Sequence, residues 1–146
     1  MRLREIKYSA YRRPGELLFA SWTLGLGLWI AMPSTAFSAG VYDRFTAFAP
    51  EWQWGVMLMF VGLAHGMSII VNGARWWTPL ARAGMAAVAL WAFAIMAYLF
   101  WATTPGSPAV YVYLTAALVA AASFYFAAFD CGRDSARWKA WIRSTR

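Results

Sequence analysis

Only one side chain in the apolar part of this chain titrates near neutral pH. It is His65, inside the run "FVGLAHGMSIIVNG" at 60–73. An imidazole can ligate a metal or haem, relay protons, or hydrogen-bond between helices. The first three of these chemistries need partners. Haem held in a helical bundle takes two histidines, and the chain has one. Zinc takes three or four ligands, and a relay takes a second titratable group, yet the long apolar runs contain no Asp or Glu. Residue counting therefore predicts no metal and no cofactor. It leaves two arrangements open: a neutral imidazole hydrogen-bonded across a helix interface, or a ring of His65 side chains around an oligomer axis. The chain also lacks a Gly-rich phosphate loop, a CxxC pair and a Ser/His/Asp set on one leaflet. Ser21, Thr23, Ser68, Thr115 and Ser123 read as backbone-bonded hydroxyls. No enzyme is expected.

The elements that must position His65 follow from periodicity. On a helix advancing 100° per residue, Gly55, Gly62, Gly66 and Gly73 fall within roughly 40° of one another. One side of that helix is then almost bare backbone. Lipid supplies no hydrophobic force between helices, so close approach of small residues drives their packing, and Gly62-x-x-x-Gly66 is a common form of that surface. Ala83, Ala87 and Ala94 in one later segment, and Ala116, Ala120, Ser123 and Ala127 in another, offer matching small faces. His65 lies roughly 80° around the wheel from the glycines, near Asn72, and the two form a polar edge beside the seam.

These helices belong in a bilayer. The chain has 146 residues, of which 62% are hydrophobic and 13% charged, against roughly 45–50% and 25% for soluble domains. Four runs, at about 17–37, 54–72, 82–102 and 108–129, are long enough to cross. A run of about 20 residues rising 1.5 Å each spans roughly the 30 Å hydrocarbon core. Within lipid each backbone amide needs a partner in its own segment, and the runs lack the alternation of a barrel strand. The sequence predicts an all-α integral membrane protein in which residues 1–146 form one domain: a four-helix antiparallel bundle with cytoplasmic basic tails at 1–16 and 130–146.

Charge sets the orientation. Of the 13 Lys and Arg, all but Arg44 fall before the first run, between the second and third, or after the fourth. Both termini are therefore expected in the cytoplasm, in the bacterial inner membrane. The net charge of +7 reads as a topology signal. Its division between two tails and a loop is unlike a nucleic-acid patch, so no specific nucleic acid is expected. The first run exceeds the usual core of a signal peptide and reads as a span. Cys131, the single cysteine, reads as a bystander.

Short links at "RWWTPLAR" and "TTPGSP" make the last three spans consecutive neighbours. The longer outer link carries Tyr42, Phe45, Phe48, Trp52 and Trp54, read as an aromatic belt resting at the interface. In the tail, Trp138, Trp141 and Ile142 recur at helical spacing with Arg133, Arg137, Lys139 and Arg143 beside them. That pattern predicts an amphipathic helix lying on anionic lipid at the inner surface.

"WGVMLMFVGLAHG" running to Val71–Gly73, the aromatic-Pro-Leu-x-Arg turn from Trp77 to Arg82, and a final helix from "VYVYL" to "FDCGRDSAR" resemble small four-helix membrane proteins of tailed phages and prophages. The resemblance covers about residues 54–137. It implies a phage-borne, non-enzymatic membrane protein, and that set commonly has arginine where His65 stands. Two functions are expected. One is a protein that oligomerises through its small-residue faces, as a holin-like pore, a conduit or an infection block. The other is a structural or accessory subunit packed against other membrane subunits.

Overall fold

A computed structural model describes residues 13–32, 43–71 and 77–144, with side chains described up to Gly132. Every regular element among them is a helix: α1 Pro14–Ala31, α2 Asp43–Phe48, α3 Glu51–Ile70, α4 Thr78–Thr103 and α5 Pro108–Ser144. Three are long and apolar enough to cross a membrane: α3, α4, and α5 over Pro108–Gly132.

Proline sets several boundaries, because its fixed φ suits a first turn where no amide partner is required. Pro14 and Pro79 stand in the first turns of α1 and α4, and Pro108 opens α5. At the other end of α1, Met32 is extended (ψ 144°), as a residue preceding a proline, here Pro33, tends to be. The described helix therefore covers 14–31 instead of the expected 17–37, and 33–42 lie outside the described residues. Starting one turn earlier brings Glu16 into the helix. The α4–α5 link is a tight turn in which Ser107 N–H donates to the Thr104 carbonyl at 2.9 Å, and Ser107 Oγ accepts from Ala109 N–H at 3.3 Å.

Two expectations about the ends of the chain's links need correction. The outer link does not rest wholly at the interface. Phe45 of α2 is fully buried, its ring centroid 6.0 Å from Trp54 and 5.2 Å from Phe100. Trp54 Nε1–H donates to the Phe45 carbonyl at 3.3 Å. Two residues read as belt thus close the end of the core, where burying large rings outweighs leaving them at the headgroups; Phe48 and Trp52 stay exposed. The tail likewise forms no separate surface helix. One continuous α5 runs through Asp130, Cys131 and Gly132 to Ser144, about 55 Å of helix by its rise. A single glycine costs a helix only about 1 kcal/mol. The side chains of Arg133, Arg137, Trp138, Lys139, Trp141 and Arg143 lie outside the described residues.

Packing divides the helices into two close pairs, α1 with α3 and α4 with α5, joined through α3 and α4. Gly62 lies against Ala20 and Leu24 while Gly55 lies against Ala31, so α1 and α3 run in opposite directions. Both α4 and α5 bury small residues, Ala83, Ala86 and Ala89 on the first and Ala116, Ala120, Ser123 and Ala127 on the second. A ladder of rings ties the pairs together. It runs from Trp22 to Phe93 (5.5 Å), Tyr113 (6.4 Å) and Phe100 (5.3 Å), and so to Phe45.

Candidate functional site

The chemistry of the chain converges at the end of the bundle where α1 and α4 begin. Because α4 starts at Thr78, Arg82 lies within its second turn and not in a loop. It is 0% exposed. A guanidinium keeps its charge when buried and so must be paired. Arg82 Nε and Nη2 both donate to the Glu16 carboxylate of α1 at 3.2 Å, and Nη1 donates to Asp130 Oδ2 of α5 at 3.2 Å. Arg13, which precedes α1 and is 21% exposed at its side chain, donates to Glu16 Oε1 at 2.7 Å and also pairs with Asp130 Oδ2. Among the described residues two cations and two carboxylates alternate, and their formal charges cancel.

The fork of two N–H groups onto Glu16 fixes the orientation of Arg82 as well as its charge partner. An uncancelled charge here would be expensive, since a guanidinium gains little from a low-dielectric surrounding unless its counter-ions are in place. The cluster therefore specifies how the α1–α3 pair registers on the α4–α5 pair. Sequence reading treated Arg82 as a loop charge reporting topology and gave Glu16 and Asp130 no role. One signal was available. Each carboxylate directly abuts a long apolar run, on the side where basic residues predominate, so each needs a nearby cation.

His65 stands deeper, on the α3 face that meets α1. It is 1% exposed, with the Phe19 ring edge-on at a centroid distance of 6.3 Å. Ser68 Oγ–H donates to the His65 carbonyl at 2.7 Å. The imidazole Nε2 is buried with no hydrogen-bond partner among the described residues. Within this chain the side chain is enclosed, and its contact across the α1–α3 interface is an aromatic edge. Asn72, expected beside it, lies outside the described residues.

The glycine seam mates with α1 and not with the alanine faces of the later helices. A Cβ placed on Gly62 would meet the Ala20 carbonyl oxygen at 2.8 Å, and one on Gly55 would meet Ala31 Cα at 2.7 Å. Gly27 of α1 is equally close to α3: a Cβ there would lie 2.8 Å from the Gly55 carbonyl oxygen. Gly66 is looser, with Ala20 Cβ at 3.8 Å, and Gly73 lies outside the described residues. Of the expected alanine partners, Ala83, Ala116, Ala120 and Ala127 are buried, Ala87 is half-buried and Ala94 is exposed. Gly27 was missed because "LGLGLW" offers no longer register to set it apart.

Among the described residues no three His, Cys, Asp or Glu side chains gather as a metal site. The arrangement holds charge, fixes register and leaves one buried imidazole nitrogen without a hydrogen-bond partner among the described residues. Comparison of the chain with known protein families, characterised proteins and solved structures finds no match.

Proposed function

We propose that the chain is a non-enzymatic, phage- or prophage-type protein of the bacterial inner membrane that serves as a structural or accessory subunit of a larger membrane assembly. In this reading α1 is a fourth span, the four helices form an antiparallel bundle, and both termini are cytoplasmic.

The observation that carries the reading is the uneven coverage of the spans. Half of the most apolar window of α4 is buried, but only 28% of that of α5. Ala116, Ala117, Ala120, Ser123 and Ala127 of α5 are buried, and Tyr111, Leu114, Leu118, Tyr125 and Phe129 face outward. A large aromatic and aliphatic face on one helix suits a neighbouring protein as well as lipid. Self-assembly through the glycine faces has weaker support, because α1 already covers Gly55 and Gly62.

Purification in mild detergent, with mass determination and identification of accompanying chains, tests the proposal. Stoichiometric foreign membrane subunits support it. A homogeneous species of identical chains, especially one that releases dye from liposomes, would replace it with the self-assembling pore.

A further inference from the structure

We propose that the groove between α1 and α5 is a binding site for one phospholipid acyl chain, held at its ester carbonyl by the hydroxyls of Tyr111 and Thr115. The site rests on reading α5 as a membrane span, and not on the accessory role or on what covers Leu118, Tyr125 and Phe129.

The groove follows from how the helices pair. Because α1 packs on α3 and α5 on α4, α1 and α5 have no close seam of their own, although Arg13 ahead of α1 pairs with Asp130. Between them opens a cavity of about 420 Å³, lined by Phe19 and Trp22 from α1 and by Tyr111, Val112, Thr115 and Val119 from α5. That volume lies within the range of ligand sites, roughly 300–1,000 Å³. Thr115 gives the groove its chemistry. A threonine hydroxyl in a span commonly bonds the carbonyl one turn back, as Thr23 does to Phe19 and Thr103 to Leu99, each at 2.9 Å. Thr115, read from sequence as backbone-bonded, departs from this. Its hydroxyl makes no hydrogen bond among the described residues, nor do the Tyr111 hydroxyl and the Trp22 indole N–H. A polar group left unpaired in hydrocarbon is costly, so the occupant has to bring acceptors.

Depth identifies the occupant. Pro108 opens α5 directly after the Thr104–Ser107 turn, so Tyr111 stands about one turn inside the end of the span, near the headgroup boundary where tyrosine is enriched. Thr115 is one further turn in, on the same side of the helix. From Tyr111 to Val119 is about 12 Å of helix by its rise, close to the roughly 15 Å that one leaflet contributes to the hydrocarbon core. Phe19 and Trp22, within two turns of Glu16 on α1, wall the groove from the other helix. An acyl chain thus has the length of the groove, an apolar body for its walls and a carbonyl oxygen for its donors. A transmembrane helix of another chain fits less well, because its backbone carbonyls are already bonded within the helix.

Photolabelling tests the site. Full-length protein is placed in vesicles of phosphatidylethanolamine and phosphatidylglycerol doped with a phosphatidylcholine that bears a diazirine midway along one chain. After irradiation its adducts are mapped by mass spectrometry. Leu63 and Met67, exposed on α3, report ordinary lipid contact. The expected result is several-fold more adduct at Trp22, Thr115 and Val119 than at those two. Val112→Trp, which fills the groove from an exposed position, should abolish the excess and leave Leu63 and Met67 unchanged. Thr115→Val, nearly equal in shape, should lower the excess at Trp22 and Val119 by about twofold or more, the equivalent of one net hydrogen bond, and it decides alone should Val112→Trp disturb the fold. Equal adduct at the groove and at Leu63 and Met67, or an excess that either folded variant leaves in place, overturns the proposal. Adduct in the groove below the Leu63 and Met67 level overturns it in favour of a protein occupant. No adduct at any of these positions would refute α3 and α5 as spans, a failure of the membrane reading itself.

Discussion

Arg82 illustrates how one side chain constrains the rest. Its guanidinium has no exposure to solvent and contacts two carboxylates on two other helices. Replacing it with Met removes the buried cation and leaves Glu16 and Asp130 sharing, among the described residues, only the part-exposed Arg13 in a poorly solvated joint. The expected loss is on the order of 3–5 kcal/mol, typical of removing one partner of a buried pair. Reversible unfolding in mixed detergent micelles measures it. Adding Glu16→Gln and Asp130→Asn to Arg82→Met should recover much of the loss, since the one described charge then left without its carboxylates, Arg13, is part-exposed and can turn to water. Arg82→Lys should fall between, because an ammonium cannot fork onto Glu16. His65 behaves oppositely. With no partner for Nε2 among the described residues, His65→Leu removes an unsatisfied polar atom and orphans none. At neutral pH it should be neutral or stabilising in the same assay, and a loss of about 1–3 kcal/mol would reveal a hydrogen bond beyond the described residues.

At the scale of elements, the α1–α3 seam discriminates among glycines that share one helical face. Gly62 and Gly55 meet backbone atoms of α1, which cannot swing aside as a side chain can, whereas Gly66 meets only a methyl at ordinary contact distance. Even Gly62→Ala, the mildest change available, should force the helices apart at a cost of about 1–3 kcal/mol, the usual range for overpacking. Gly66→Ala should be close to silent. Gly84, which has nothing within 4 Å, should gain from Ala, by up to about 1 kcal/mol from helix propensity. Thermal unfolding of the three variants side by side checks the order; equal losses at Gly62 and Gly66 would remove the seam from this register.

For the whole molecule the testable quantity is orientation. The turn at Thr104–Ser107 and the ion cluster lie at opposite ends of α4 and α5, so the proposed topology puts Gly106 outside and Cys131 inside. A membrane-impermeant thiol reagent added to intact cells should label Gly106→Cys in a Cys131→Ser background. Wild-type Cys131 should label only after the membrane is opened. The reverse pattern would place the Lys and Arg excess outside and overturn the topology.

What the sequence determined by itself was local or one-dimensional. Apolar runs of sufficient length had to become helices because a helix satisfies its amides within one segment. The "TTPGSP" turn and Pro108 delimited the last link through φ and missing donors. The alignment of Gly55, Gly62 and Gly66 on one side of α3 followed from 100° per residue alone. Tertiary structure decided which face meets which: that the glycines meet α1, that Phe45 turns inward, and that α5 continues past Gly132. It also decided that Arg82 serves Glu16 and Asp130, 66 and 48 residues away in the chain. Several small faces could have accepted the glycine seam, and several cations could have answered each carboxylate. Only simultaneous packing of all the helices selects among them, because each pairing is scored against every backbone approach and every buried charge it leaves unmatched.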